Sequence, residues 1–229
     1  MEVGSFTKAA ELLGYTQPAL SQMIASLERK LNIKLLYRTS HRVCLPPLIA
    51  AFQKQYPNVE FVLHQGDNNS IPEWVRTGEV DFGFVNMSVF SGKATFLKEG
   101  EYRAVLPQAH PLAAQDAVTL EQLASEPFLV IEEGSLSRPL EAFRESGLAP
   151  HVRLRVHDDY SILSMVEHGL GVSILPELVL RKTNYQIAIR PLEPVVTRKL
   201  GFIAKSKNEL PLAGKYFINF MVEHIGELP

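Results

Sequence analysis

The feature that most constrains this chain lies in residues 16–31, TQPALSQMIASLERKL. Leu20, Ile24, Leu27 and Leu31 recur at spacings of four, three and four, which places them along one face of a helix. The other face carries Pro18, Ser21, Gln22, Ala25 and Arg29, side chains that are mostly small or able to hydrogen-bond. Thr16 is suited to cap the amino end, and Pro18 fits a first turn whose backbone donors lack partners in any case. Residues 5–13, SFTKAAELL, read as a shorter helix opened by Ser5 and closed by Gly14. Two helices joined by the short Gly14-Tyr15 turn, with Ala9 and Ala10 small enough for a close crossing, make a helix-turn-helix.

Residues 4–43, GSFTKAAELLGYTQPALSQMIASLERKLNIKLLYRTSHRV, resemble the DNA-binding head of the LysR-type transcriptional regulators almost position by position. The resemblance implies that the second helix enters the major groove of double-stranded DNA. It also implies a two-stranded wing over residues 34–45, with Arg38 and Arg42 toward phosphates. The DNA-facing set is then Thr16, Gln17, Pro18, Ser21, Gln22, Arg29, Arg38 and Arg42. Gln17, Ser21 and Gln22 are expected to reach base edges, glutamine being suited to bidentate contact with adenine, while the wing cations hold phosphates. Many relatives of this type carry Arg or Lys where Gln22, Ala25 and Ser26 stand here, so a weaker grip per head is expected.

Charge agrees with a nucleic-acid contact at one end. The formal net charge of −2 conceals a head of +3 over residues 1–45, with six Lys or Arg against three Glu. The remaining residues hold 17 basic against 22 acidic side chains, a balance of −5.

Beyond Pro46 the pattern alternates strand and helix. Residues 48–55 read as an amphipathic helix, 59–64 as a strand and 70–77 as a helix opening near Pro72. The apolar FGFV at 82–85 suits a strand buried in a parallel sheet, and 96–106 reads as two strands. Helices follow at 120–124, 136–146, 159–168 (capped by Asp159 and stopped by Gly169) and 210–225. Strands follow at 128–131, 152–157, 172–175, 187–189 and 199–204. Strands separated by helices call for βαβ units in two lobes, lobe I at 46–105 and 203–229 and lobe II at 106–202. Ligands of such folds bind at the carboxyl ends of strands, between the lobes.

PPLIAAFQKQYPNVEFVLHQG, GEVDFGFV and MVEHGLGVSILP resemble the effector domain of the same family, which is related in fold to periplasmic solute-binding proteins. The architecture implied is a winged helix-turn-helix head at 1–45 followed by a two-lobed, periplasmic-binding-protein-like α/β effector domain at 46–229. The function implied is regulation of transcription in response to a small-molecule effector. By position, Gly66, Asp67, Asn86, Glu132, Ser135 and Ser173 border the cleft.

The chain departs from the family pattern in two places. Only residues 1–3 precede Gly4, where relatives carry a further helix, so a truncated amino terminus is expected. At Leu45 the wing runs directly into Pro46-Pro47, so both the long helix that dimerises the family and the first effector-domain strand are missing. A homo-oligomer through that helix is therefore not expected. The empty strand position should draw in residues 43–45 beside residues 59–64, or lobe I should stay loosely packed. An alternative reading is a two-lobed small-molecule-binding module with a vestigial head.

Other chemistry is poorly supported. Ser5-x-x-Lys8 and Lys182-Thr183-Asn184 approximate a serine β-lactamase pair, but the serine sits near the terminus and no Ser-Asp-Asn occurs. The seven histidines show no metal-ligand spacing, and the G-x-G at 169–171 joins a helix to a strand, the reverse of a dinucleotide fingerprint. No enzyme activity, cofactor or metal is implied. A single cysteine, Cys44, no signal peptide and no apolar run of membrane-spanning length indicate a cytoplasmic protein without membrane contact.

Overall fold

The structure, a computed structural model, describes residues 32–36, 45–132, 134, 137–181, 184–205 and 209–227. The helix-turn-helix, all eight expected DNA-facing residues, the Ser5/Lys8 pair and Ser135 lie outside the described residues.

Lobe I begins with strand β1, Asn32–Leu36, then helix α1 (Leu45–Gln55), β2 (Glu60–His64), α2 (Ser70–Thr77) and β3 (Phe82–Asn86). β1 lies between β2 and β3 and is parallel to both, in register from Asn32 opposite Glu60 to Leu36 opposite His64. This corrects the expected wing: residues 34–36 lie in the effector sheet, and Leu45 opens α1. The empty strand position is filled, by Asn32–Leu36 and not by residues 43–45. The reason is geometric. A strand needs several residues before its crossover helix; eight separate Leu36 from the helix that opens at Leu45, whereas a strand ending at Leu45 would leave none.

The next strand, β4 (Thr95–Pro107), runs 13 residues without a break, so the two strands expected over 96–106 are one. Its partners change midway. From Thr95 to Glu101 it pairs with β10 (Thr197–Ala204), and from Tyr102 onward with β8 (Ser173–Pro176) and β9 (Ile187–Glu193). The divisions expected at 105/106 and 202/203 therefore fall inside continuous strands, and pairing passes from one lobe to the other between Glu101 and Tyr102. The sheet order is β2-β1-β3-β10-β4-β9-β5, where β5 is Val118–Thr119, and β8 also pairs with β4. A separate parallel pair, β6 (Pro127–Ile131) and β7 (His151–Val156), completes lobe II with α3 (Leu120–Ala124), α4 (Arg138–Glu145), α5 (Asp159–Glu167) and α6 (Glu177–Leu180). Asp158, one residue before the expected Asp159, caps α5 by accepting from the Ser161 amide at 2.9 Å.

Alternation along β3 explains the lobe I core. Phe82 and Phe84 face α1 and the closing helix α7 (Leu212–His224), while Val85 joins Ile71 and Val75 of α2 on the opposite face. Phe217 of α7 is fully buried at the centre, its ring 5.1 Å from Phe52, 5.0 Å from Phe61 and 5.8 Å from Phe82. Phe217→Ala should cost about 3–5 kcal/mol, because a ring surrounded by three elements leaves a cavity that cannot collapse. Urea unfolding followed by far-UV circular dichroism measures it, and a loss under about 1 kcal/mol would refute the packing argument.

Candidate functional site

The parallel strands β1, β2 and β3 end on one edge of lobe I, and β6 and β7 end together in lobe II. The described residues that follow are 65–69 in lobe I and 132, 134, 137 and 157–158 in lobe II, each set preceding a helix. Two of them meet across the lobes. A Cβ placed on Gly134 would stand 3.1 Å from the Asn69 Nδ2 and 3.3 Å from its Cγ. Gly134 also has φ +91°, so it supplies both the turn and the space for this approach.

The expected site residues divide by what their side chains already do. Asp67 Oδ1 accepts from the Ser70 amide at 2.7 Å, the Asn69 amide at 2.9 Å and the Ser70 hydroxyl at 2.9 Å. It caps α2, since Asn69 at the formal cap position makes no side-chain cap bond. Gly66 lies where a Cβ would come within 2.3 Å of the Trp74 ring, so its role is close packing of the loop on α2. Asn86, at the end of β3, is buried; its Nδ2 donates to the Tyr102 hydroxyl at 3.4 Å and its Oδ1 accepts from the Ser88 amide at 3.1 Å. Tyr102 begins the lobe II half of β4, and the buried Arg198 guanidinium lies 6.0 Å from its ring centre, so Asn86 braces the crossing. Ser173 is 1% exposed and its hydroxyl donates to the Leu129 carbonyl at 2.8 Å, tying β8 to β6. Glu132 stands at the end of β6 with His157 Nε2 at 3.2 Å and Arg155 Nη1 at 3.9 Å.

Other residues stand out on the same strand ends. Among the described residues, Asn68, 9% exposed, has no partner for its Nδ2 or its Oδ1, and the buried Ser137 hydroxyl likewise has none. Asp159, the first residue of α5, is 2% exposed. No sequence cue separated Asn68 from Asp67: the Asp67 carboxylate is drawn into capping, and the loop then carries the next side chain inward. Ser137 opens α4 without a side-chain cap bond, which leaves its hydroxyl for other work. A buried polar group without a partner costs about 1–3 kcal/mol, so an amide and a hydroxyl left this way at facing loops mark where a polar molecule would be held. The starts of α2, α4 and α5 follow these same strands and favour negative charge on it.

Elsewhere the polar groups satisfy one another. In a crevice of about 250 Å³ beside the crossing, Arg103 lies 2.9 Å from both Glu101 and Glu177. The Arg190 guanidinium in lobe II donates to the carbonyls of Gln115, Ile189 and Ala113. On α2, the Arg76 side chain hydrogen-bonds Glu73, which holds the Glu73 carboxyl below its usual value and raises the Arg76 guanidinium; both are exposed.

Residues 26–226 match the family model described as the LysR substrate binding domain, and residues 1–47 match the bacterial regulatory helix-turn-helix protein, lysR family. The chain belongs to the LysR-type family of transcriptional regulators. Among LysR-type relatives, the uncharacterized HTH-type transcriptional regulator YvbU of Bacillus subtilis is 29% identical over 277 residues, covering 98% of this chain and 95% of YvbU. Since this chain has 229 residues, at least 48 aligned positions of that comparison have no counterpart here. The LysR-type fold is shared with the effector-binding domain of QuiR in complex with shikimate, at TM-score 0.75 and 22% identity over 86% of this chain and 97% of that one. Full-length CbnR complexed with its target DNA matches at TM-score 0.69 and 16% identity, over 99% of this chain and 95% of CbnR. YvbU carries the name of a transcriptional regulator, not of an enzyme.

Capping by Asp67 is directly testable. Asp67→Ala should lower stability by about 1 kcal/mol, with Asp67→Asn largely restoring it because an amide oxygen can accept the same bonds. Thermal unfolding of the three proteins checks this, and equal stability of the alanine and wild-type chains would remove the capping role.

Proposed function

We propose that this LysR-type chain binds double-stranded DNA through residues 1–45 and is controlled by a small polar, anionic effector held between the lobes of residues 46–229. The observation that carries the effector reading is a pair of buried side chains with no partner among the described residues, Asn68 on the lobe I loop and Ser137 at the start of α4. The Asn68 amide can donate and accept at once, the Ser137 hydroxyl can do either, and helix starts supply the positive end for a carboxylate. Gly66, Asp67 and Asn86 shape and brace the site, Glu132 stands at the end of β6 opposite, and Ser173 acts from behind it; Ser135, outside the described residues, stays a candidate contact by resemblance alone. An effector bridging the 65–69 loop and the start of α4 favours lobe closure, with β4, which passes from one lobe to the other at Glu101/Tyr102, as the hinge. The relative in complex with shikimate, a small carboxylate, supports this class of ligand.

The DNA reading assigns base contacts to Gln17, Ser21 and Gln22, first-turn contacts to Thr16 and Pro18, and phosphate contacts to Arg29, Arg38 and Arg42. The match of residues 1–47 to the helix-turn-helix family model and the DNA-bound relative CbnR support it. No helix among the described residues is long and apolar enough to cross a membrane, and a DNA-binding role places the chain in the cytoplasm. With no dimerising helix, the head acts without a symmetric partner, and pairing of chains is left to the effector domain.

Shikimate and a series of simple mono- and dicarboxylates, titrated by thermal shift and calorimetry, provide the effector test. A member that raises the melting temperature of the natural chain should lose at least tenfold in affinity to Asn68→Ala and to Ser137→Ala, since each removes a buried hydrogen bond to ligand. Undiminished affinity in both variants would overturn the site. On DNA, Gln22→Ala should cost about 1–3 kcal/mol at one base position. Arg38→Ala should weaken all sequences alike and reduce the salt slope by about one. Binding measured against specific and random duplexes over a salt series decides it, and identical behaviour of the two variants would sink the assignment.

A further inference from the structure

The strand that completes lobe I is drawn from residues that the DNA-binding half of the chain also claims. Residues 26–47 fall within both family matches, the helix-turn-helix and the substrate-binding domain. The comparison with YvbU leaves at least 48 aligned positions without a counterpart here. Both family matches draw on this one stretch, residues 26–47. The structure places the centre of that stretch, Asn32–Leu36, in the sheet, paired with β2 along five residues and with β3 through Leu35 and Leu36.

The sheet has no substitute for it. In the order β2-β1-β3, β2 reaches the rest of the sheet only through β1 among the described residues. If β1 leaves, β2 loses its ladder, and with it goes the anchor of the loop that carries Asn68 and Asp67 directly after His64. A backbone group can lie in one ladder at a time, so the head cannot use Asn32–Leu36 for its own packing while the sheet holds it.

We propose that the head and lobe I compete for Asn32–Leu36, so that DNA binding and an intact effector sheet exclude each other within one chain. This rests on the reading of residues 1–45 as a DNA-binding head. With the strand in the sheet, the head lacks part of its fold and binds DNA with an affinity lowered by the fraction of time the strand is free. DNA that captures the complete head draws the strand out and loosens β2. Linkage makes the coupling reciprocal: a ligand that fastens the 65–69 loop holds the strand in the sheet and releases DNA. The short chain would thus join its two functions by sharing a segment, in place of a linker helix.

Two measurements on full-length protein test this. The first compares the natural chain with a variant in which residues 32–44 are duplicated, the copies separated by a flexible Gly/Ser linker, so that head and sheet each own a strand. A fluorescein-labelled random-sequence duplex at low salt is the probe. If the sheet holds the strand nine-tenths of the time or more, the duplicated chain should bind at least about tenfold more tightly. The second follows amide exchange of Glu60–His64, which duplex should accelerate at least tenfold in the natural chain and leave unchanged in the duplicated one. Equal affinity of both chains, with exchange of β2 indifferent to bound duplex, overturns the competition while leaving the head reading intact. Failure of both chains to bind duplex defeats the head reading and the competition with it. Tighter binding by the duplicated chain, or duplex-driven exchange confined to the natural one, upholds the proposal.

Discussion

Lobe I depends on one backbone ladder, the pairing of Asn32–Leu36 between β2 and β3. A strand in the interior of a sheet satisfies donors and acceptors on both of its sides and on the facing sides of its neighbours, so its loss is felt on three strands. Everything at the carboxyl edge inherits its position from that ladder. His64 stands opposite Leu36, the Asp67-capped turn follows His64, and α2 follows the turn. The aromatic cluster around Phe217 covers one face of this sheet and α2 the other, so side-chain packing reinforces an order that the backbone pairing sets.

A second constraint is the crossing between lobes. β4 and β10 are paired antiparallel across the junction, and β4 then passes into lobe II without a break. Of the two, β4 belongs to both lobes, pairing with β10 up to Glu101 and with β8 and β9 from Tyr102 onward. The buried Asn86 and Tyr102 meet at that point, with Arg198 beside the Tyr102 ring, so polar side chains there serve geometry. The contrast with Asn68 and Ser137 is informative. One set is consumed by the fold, and the other is buried at strand ends with no partner among the described residues. That difference, more than position along the chain, separates bracing residues from residues free to hold a ligand.

Much of the architecture was legible in the residues. Periodicity located α2 over 70–77 and α3 over 120–124 at their observed limits, and the apolar FGFV became a strand buried along its whole length. Those features depend on neighbours a few residues away, and a one-dimensional pattern records them. The residues also marked a missing first strand in lobe I and required that something fill its place. They named the wrong segment, because the choice between 43–45 and Asn32–Leu36 turns on the loop length a crossover needs.

By itself, then, the sequence determined the family, the alternation of strand and helix, the two lobes and the edge of the sheet where a ligand would lie. Each of these follows from local spacing or from resemblance along the chain. The Asp67 cap is local too, its bonds reaching only two and three residues on. Tertiary structure alone decided that Ser173 is tied to the Leu129 carbonyl, and that Asn68 and Ser137 keep polar atoms with no partner among the described residues. It also decided that residues resembling a wing lie in the effector sheet. The physical reason is common to these three. A hydrogen bond is settled by which partner is nearest in space, and partners such as Ser173 and Leu129, or Leu36 and His64, are brought together only when distant segments pack.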